Sequence, residues 1–377
     1  MASKKGAAIV DREHMLRAAL VASSAQSGKD MIPILGNMLV EASAEQLALT
    51  GTDMDVAVRL IVPARCEGEP IETTVSAKRL AALAGSSDDD CEIRLSHAAG
   101  ARDLEMIAGR SRYKLPVTPR ADFPLMSFDP GPCTFMVSSS ALGSSLSRCA
   151  FAEGDNVARY YLCGTSLIAL DGAIFAVATD GNILARLTMC DAPSEWPTVI
   201  LPSKLTVLLI RILKDGAGDV AVTLDAEGKR IRFEWGCWTI TSKLIDGQFP
   251  SAWSQIIPAP DPDRQVVVDA GTLERAVRRV GEMAEGKTRI IEMLLSADRV
   301  TMRCQSIEAG FGEEDLPAAC GLEDMTLRFV IHQLRDIVSA ASGDSVRMTF
   351  GADGRANVRV EPEAGGGFVG VLQPLNL

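Results

Sequence analysis

The sequence predicts an α+β protein made of three copies of one unit, each with two helices set on antiparallel strands. Three observations lead there: a common spacing in the first two thirds, helical apolar patterns that return in every third, and Gly-containing turns between alternating runs. LTGTDMDVAVRL around Asp53 recurs as VATDGNILARL around Asp180, 127 residues later. KLPVTPRADFP ends at Phe123-Pro124 and KLIDGQFP ends at Phe249-Pro250, 126 residues on. SAKRLAAL from Ser76 is answered by PSKLTVLL, with Lys78 and Lys204 again 126 apart. Independent matches that share one offset indicate a duplicated unit.

The third copy is fainter and lies where the period puts it. Leu16 with Leu20, Leu142 with Leu146, and Leu273 with Val277 are i, i+4 apolar pairs near the start of each third, as one face of a helix requires. A second helix is expected from Ser76 to Leu83, Ser203 to Leu213 and Ile331 to Ala341. Runs such as VAVTLDAEGKRIRFEW and VRMTFGADGRANVRV read as strand pairs joined by tight turns. The Pro/Gly stretches at 128–132 and 258–263 read as linkers, which divides the chain into 1–129, 130–260 and 261–377.

The composition, 47% hydrophobic and 23% charged over 377 residues, is that of a globular protein large enough for several domains. No apolar run approaches a membrane span, and Asp11, Arg12 and Glu13 interrupt the N-terminus before a signal core could form, so the cytoplasm is the expected location. Nine cysteines without a C-x-x-C pair fit neither a disulfide framework nor a zinc site. His14, His97 and His332 are isolated, no G-x-S-x-G elbow occurs, and no catalytic residue, metal or cofactor is expected. GEMAEGKT, from Gly281 to Thr288, matches a phosphate-binding loop with Lys287 at the phosphates, but a helical pattern precedes it and a strand pattern follows, the reverse of what that loop needs. GGGFVG, from Gly365, is too near the end of the chain for a dinucleotide unit and reads as a hairpin connection. Asp53 and Asp180 hold equivalent places in the repeat, which favours a turn role over catalysis.

The net charge of −11 argues by itself against a nucleic-acid partner. The six expected helices nevertheless carry twelve Lys and Arg against six Asp and Glu, so positive charge is concentrated there. Six helices with one bias point to a shared basic surface facing a polyanion. Acidic strands, with residues such as Asp225 and Glu227, would face away from it.

IPILGNMLVEA, LTGTDMDVAVR, RSRYKL with the later DFP, ARYYLCG, VATDGNILA, VILPSKL and SKLIDGQFP together resemble the bacterial DNA polymerase III β subunit, the sliding clamp family, in the family's order and over nearly the whole chain. The resemblance implies three clamp-type domains and a head-to-tail homodimer forming a ring around duplex DNA. It implies a non-enzymatic processivity factor, associated with the nucleoid, whose partners are double-stranded DNA, the replicative polymerase, the clamp loader and other proteins with a clamp-binding motif. By position it assigns phosphate contacts to Lys29, Lys78, Arg79 and Lys204, with Arg148, Arg278 and Arg279 on the same channel. Its partner-peptide pocket maps to Leu162, Thr179, Gly181, Asn182, Ile183, Leu184, Pro250, Ile256, Gln373, Pro374, Leu375 and Leu377. Its dimer interface maps to Tyr113, Leu115 and Met283, in apolar patches that a monomer would expose. The chain departs from the family at Asn182-Ile183, where His-Arg is usual, at its tail, where Met-Pro-Met-Arg-Leu is usual, and at Glu282, usually apolar. The pocket changes motivate a divergent second clamp with altered partner or inhibitor binding as an alternative, and a P-loop nucleotide hydrolase is the alternative from another class.

Overall fold

A computed structural model describes residues 5–25, 32–193, 195–214, 218–286, 288–320, 325–351 and 356–375. By their contacts they fall into two compact units, Met1–Ser139 with Arg211–Leu244 and Ser140–Ile210 with Ile245–Leu377. Six helices are described: α1 Arg12–Ser24, α2 Ala77–Gly85, α3 Ser139–Cys149, α4 Ser203–Leu213, α5 Ala270–Gly281 and α6 Ile331–Ala341. Side-chain caps open α2 and α5. The Ser76 side chain accepts from the Arg79 N–H, and that of Asp269 accepts from the Thr272 N–H at 2.6 Å, satisfying first-turn donors that have no intrahelical partner.

One order of elements runs three times along the chain. A strand leads into α1, α3 or α5, a three-stranded meander follows, a further strand leads into α2, α4 or α6, and a second meander closes the copy, with the short strands Arg65–Glu67 and Ala319–Cys320 added in the first and third copies. The buried register of the first helices repeats with it. Counting from Asp11, Ser138 and Asp269, the fourth, seventh, eighth and eleventh residues are Met15, Ala18, Ala19 and Ala22, then Leu142, Ser145, Leu146 and Cys149, then Leu273, Ala276, Val277 and Val280. All twelve are buried. This corrects the pair expected in the first copy, because Leu20 is 43% exposed and Leu16 only half-buried. The strand Gln46–Thr52 comes so near α1 that a Cβ on Gly51 would lie 1.8 Å from the Ala22 carbonyl. Only small side chains fit such an approach, and the bulkier leucines turn outward.

Strand pairing joins successive copies. In the first unit Val56–Pro63 pairs antiparallel with Trp238–Lys243, Leu60 opposite Trp238, within a thirteen-stranded sheet. In the second unit Ile183–Asp191 pairs with Phe368–Leu372, Leu184 opposite Val371, within a nine-stranded sheet. Each joint sets the last strand of a first meander against the last strand of the next copy's second meander. Among the described residues one strand of each kind is left over. Gly310–Pro317 ends a four-stranded sheet. On Ser111–Thr118 only Val117 and Thr118 reach a second neighbour, while Ser111–Pro116 pair with Asp103–Ala108 alone.

Arg148 corrects an expected DNA contact. Its Nε donates to the Ala340 carbonyl at 2.6 Å, its Nη2 donates to the Ala341 carbonyl at 2.8 Å, and its guanidinium lies 4.8 Å from the Phe368 ring centre. The charge is spent on the carbonyls that end α6, and burial disfavours it further. Arg148→Ala should therefore lower stability by about 1.5–3 kcal/mol, the range for hydrogen bonds to a charged group, seen as a lower urea midpoint; an unchanged midpoint would count against this role.

Neither nucleotide motif has its required context. Gly281 ends α5 and the strand Ile290–Ser296 follows, the reverse of strand, loop and helix, while Lys287 lies outside the described residues. Gly365, Gly366 and Gly367 all have positive φ and connect the antiparallel strands Val358–Pro362 and Phe368–Leu372, as a hairpin turn requires.

Candidate functional site

The site in the second unit is built on a turn that the chain uses twice. The Thr179 hydroxyl donates to the Ile183 carbonyl at 2.6 Å and accepts from the Gly181 N–H at 3.1 Å, while Asp180 Oδ1 accepts from the Asn182 and Ile183 N–H groups at 2.7 and 2.9 Å. Thr52 and Asp53 make the same four bonds to Val56, Met54 and Asp55. The repeated Thr-Asp pair is thus a turn device, and neither aspartate is placed as a catalytic acid. The third turn residue needs positive φ in both copies, 75° at Met54 and 99° at Gly181. At Gly181 a side chain would also meet the Arg159 guanidinium, 2.6 Å from the ideal Cβ. Glycine therefore lets Arg159 lie across the turn.

Behind that turn Leu162, Ile168, Phe175, Val177, Leu184, Ile200, Phe249, Trp253 and Val371 form one apolar cluster, with Tyr161, Ile245 and Ile257 packed against it. The strand alternation that aims Leu184 into this cluster aims Ile183 to the opposite face, so Ile183, expected as a wall residue, does not belong to it. Pro250, Ile256, Gly181, Asn182 and Gln373 are exposed, and Tyr160 and Val157 are exposed apolar residues on the neighbouring turn Val157–Leu162. Thr179 and Pro374 are buried and Leu375 is half-buried. The tail is pinned by the Gln373 N–H donating to the Asn182 carbonyl at 3.1 Å and the Leu375 N–H donating to the Arg328 carbonyl at 2.8 Å. Leu377 lies outside the described residues. An apolar floor under a partly polar lip suits a short peptide with apolar anchors.

Several participants were not singled out from sequence. Trp253 sits 6.4 Å from Phe175, and the Arg186 guanidinium lies 5.1 Å from the same ring. Its charge is disfavoured first by burial and then by Arg359. Gln333 Nε2 reaches Asp180 Oδ2 at 3.4 Å. A lone Trp in a Pro-bounded loop was the available signal for Trp253; nothing local distinguishes Arg186 from any other strand cation.

The expected basic residues divide by what they touch. Lys78 and Arg79 are exposed on the first turn of α2, Lys204 is half-buried on the first turn of α4, and Arg278 is exposed on α5. Arg279 is committed to Glu314 through two hydrogen bonds, which raise its pKa. Lys29 lies outside the described residues. Asp225 was expected on an outward acidic face and is instead 5% exposed, its carboxylate accepting from the Lys229 and Arg230 N–H groups at 2.7 and 2.8 Å. Of the expected interface residues Tyr113 is half-buried, and half-buried Met283 packs on Gly312 of the leftover strand Gly310–Pro317. Leu115 is 5% exposed within its own chain, a correction that follows from its pairing with buried Leu104. All nine cysteines are free. Among the described residues no cluster of three potential metal ligands occurs, and no helix is long and apolar enough to cross a membrane.

Comparison with known proteins agrees with the threefold order of elements. Residues 7–127, 136–251 and 254–366 match the N-terminal, central and C-terminal domains of the DNA polymerase III beta subunit. The chain is 30% identical to the beta sliding clamp of Pseudomonas aeruginosa over 375 residues, 98% of this chain and 99% of that protein. It is 29% identical to that of Escherichia coli K12 over 372 residues, with the same coverage. The Pseudomonas aeruginosa sliding clamp bound to griselimycin superposes with a TM-score of 0.92 at 28% identity, covering 99% of this chain and 100% of that one. The Caulobacter crescentus beta sliding clamp gives a TM-score of 0.91 at 28% identity, covering 99% of both chains.

Proposed function

The chain belongs to the DNA polymerase III beta subunit family and is a DNA sliding clamp, a non-catalytic processivity factor; from that membership we propose how its own residues close a ring, touch DNA and hold partners. The three copies are taken as domains 1–129, 130–260 and 261–377. The observation that carries the ring is the pair of leftover strands. Both joints within the chain pair the same two kinds of strand, and Gly310–Pro317 and Ser111–Pro116 are the unjoined members of those two kinds. Pairing them between two chains, twice, gives a closed head-to-tail dimer in which neither of these two edges is left open. Tyr113 and Met283 flank that joint, and Leu115 supports it from its own core.

Duplex DNA passes through the ring and is touched without sequence preference by Lys78, Arg79, Lys204 and Arg278, with Lys29 as a further contact. The Leu162, Leu184 and Val371 floor holds the apolar peptide of the replicative polymerase, the clamp loader and other clamp-binding proteins, with Arg159 at its edge in place of the family's cation at 183. The protein works in the cytoplasm at the nucleoid. Neither the altered pocket nor Gly286-Lys287-Thr288 gains support for the alternative functions.

The test is solution mass together with retention on nicked circular DNA. A mass of twice 40.2 kDa, with retention on the circle and release when it is linearised, is expected; equal retention on linear DNA would overturn the ring. Deleting 373–377 should weaken partner-peptide binding by more than about 2 kcal/mol, a hot-spot effect, with the dimer intact. Unchanged peptide affinity would place the pocket elsewhere.

A further inference from the structure

We propose that Arg279 is a joint residue, reaching from α5 of one chain to the end of α2 and the acidic segment after it in a second copy of this chain; this rests on the head-to-tail ring. In register, Arg148 and Arg279 are the same position, each ten residues beyond the residue that precedes its helix, Ser138 or Asp269. Arg148 shows what that position does at a joint. At the Ile183–Asp191 and Phe368–Leu372 pairing it leaves its own helix and donates to the carbonyls of Ala340 and Ala341, ten and eleven residues beyond Val330.

The corresponding residues beyond Ser76 are Ser86 and Ser87, at the end of α2. The exposed run Asp88-Asp89-Asp90 follows them directly. Arg12 of the same chain already donates to the Ala84 and Gly85 carbonyls and pairs with Asp89 at 3.0 Å. Ser86, Asp88 and Asp90 are exposed beside this contact and offer acceptors to an incoming cation, whereas Ser87 is half-buried with its hydroxyl given to the Leu83 carbonyl. Arg279 is presented for this by Glu314, which lies on the leftover strand Gly310–Pro317 and holds the guanidinium beside the edge that closes the ring. A guanidinium suits the task because its planar fork can keep Glu314 on one side and reach new acceptors on the other.

The test is the dimer dissociation constant by sedimentation or dilution, with thermal melting as a check on folding. Arg279→Ala should weaken the dimer at least about tenfold, Arg279→Lys by less, and Arg278→Ala by less than twofold, with melting of the separated chains unchanged. Asp88→Asn with Asp90→Asn, which spares Asp89, should also weaken it and should add little on top of Arg279→Ala, as expected for partners in one contact. A dimer unaffected by Arg279→Ala, or full additivity with the aspartate changes, would overturn the contact. So would a variant that loses DNA retention at an unchanged dimer constant, which would return Arg279 to the DNA face. A wild-type chain that stays monomeric at micromolar concentration would instead overturn the ring itself.

Discussion

Arg112→Glu combined with Lys114→Glu is expected to yield a folded chain that sediments as a single copy at micromolar concentration and no longer stays on circular DNA. Antiparallel alternation sets the main-chain groups of odd residues such as Val117 towards Asp103–Ala108, since the Val117 N–H donates to the Arg102 carbonyl. Those of Arg112 and Lys114 consequently face the open edge. Both side chains are exposed; Arg112 makes a 3.3 Å surface contact with Glu105 and Lys114 stands opposite it, so the reversal should lower the melting temperature slightly without unfolding the domain. The strand expected opposite, Gly310–Pro317, carries Glu313, Glu314 and Asp315. Reversal sets like charges side by side at both joints of the ring. Like-charge juxtaposition at an interface costs several kcal/mol, on the order of a hundredfold or more in the dissociation constant at each joint. A dimer of unchanged strength would mean that other strands close the ring.

The repeat was legible because its turn device is local. Thr-Asp at 52–53 and at 179–180 satisfies four backbone or hydroxyl bonds within five residues, so the two copies keep one signature. Strand-to-strand joints have no such signature, since Leu60 opposite Trp238 and Leu184 opposite Val371 are pairings between residues far apart in the chain. The helix register failed by one residue in α1, where close approach of Gly51 selected alanines over leucines, a tertiary demand that periodicity does not contain. Charge was the hardest feature to read. Arg148, Arg279 and Lys78 are alike as letters, yet one ends a helix, one pairs with Glu314 and one is exposed on the first turn of α2. Only the acceptors within reach of each guanidinium or ammonium separate these roles.

That separation sharpens the expectation for DNA. Reversing Lys78, Arg79 and Lys204 to Glu changes three cations in each chain, or six positions in a dimeric ring, that would face a duplex carrying about one charge per 1.7 Å. A protein holding about six phosphates loses roughly 10³ of its affinity between 50 and 200 mM salt. The native ring should show such a steep dependence, whereas the reversed ring should bind weakly at every salt concentration and fail in loading and processive synthesis. Lys78 and Arg79 sit on the solvated first turn of α2 and Lys204 is half-buried on the first turn of α4, so the fold should survive with a small loss of stability at Lys204, which a melting curve checks. The control must avoid Asp225, whose buried carboxylate anchors a turn. Glu72→Lys with Glu234→Lys, both exposed on strands, changes charge outside the helices and should do far less. Equal losses from the helix and strand variants, or a preference for one DNA sequence over another, would mean that the basic helices do not line the DNA channel.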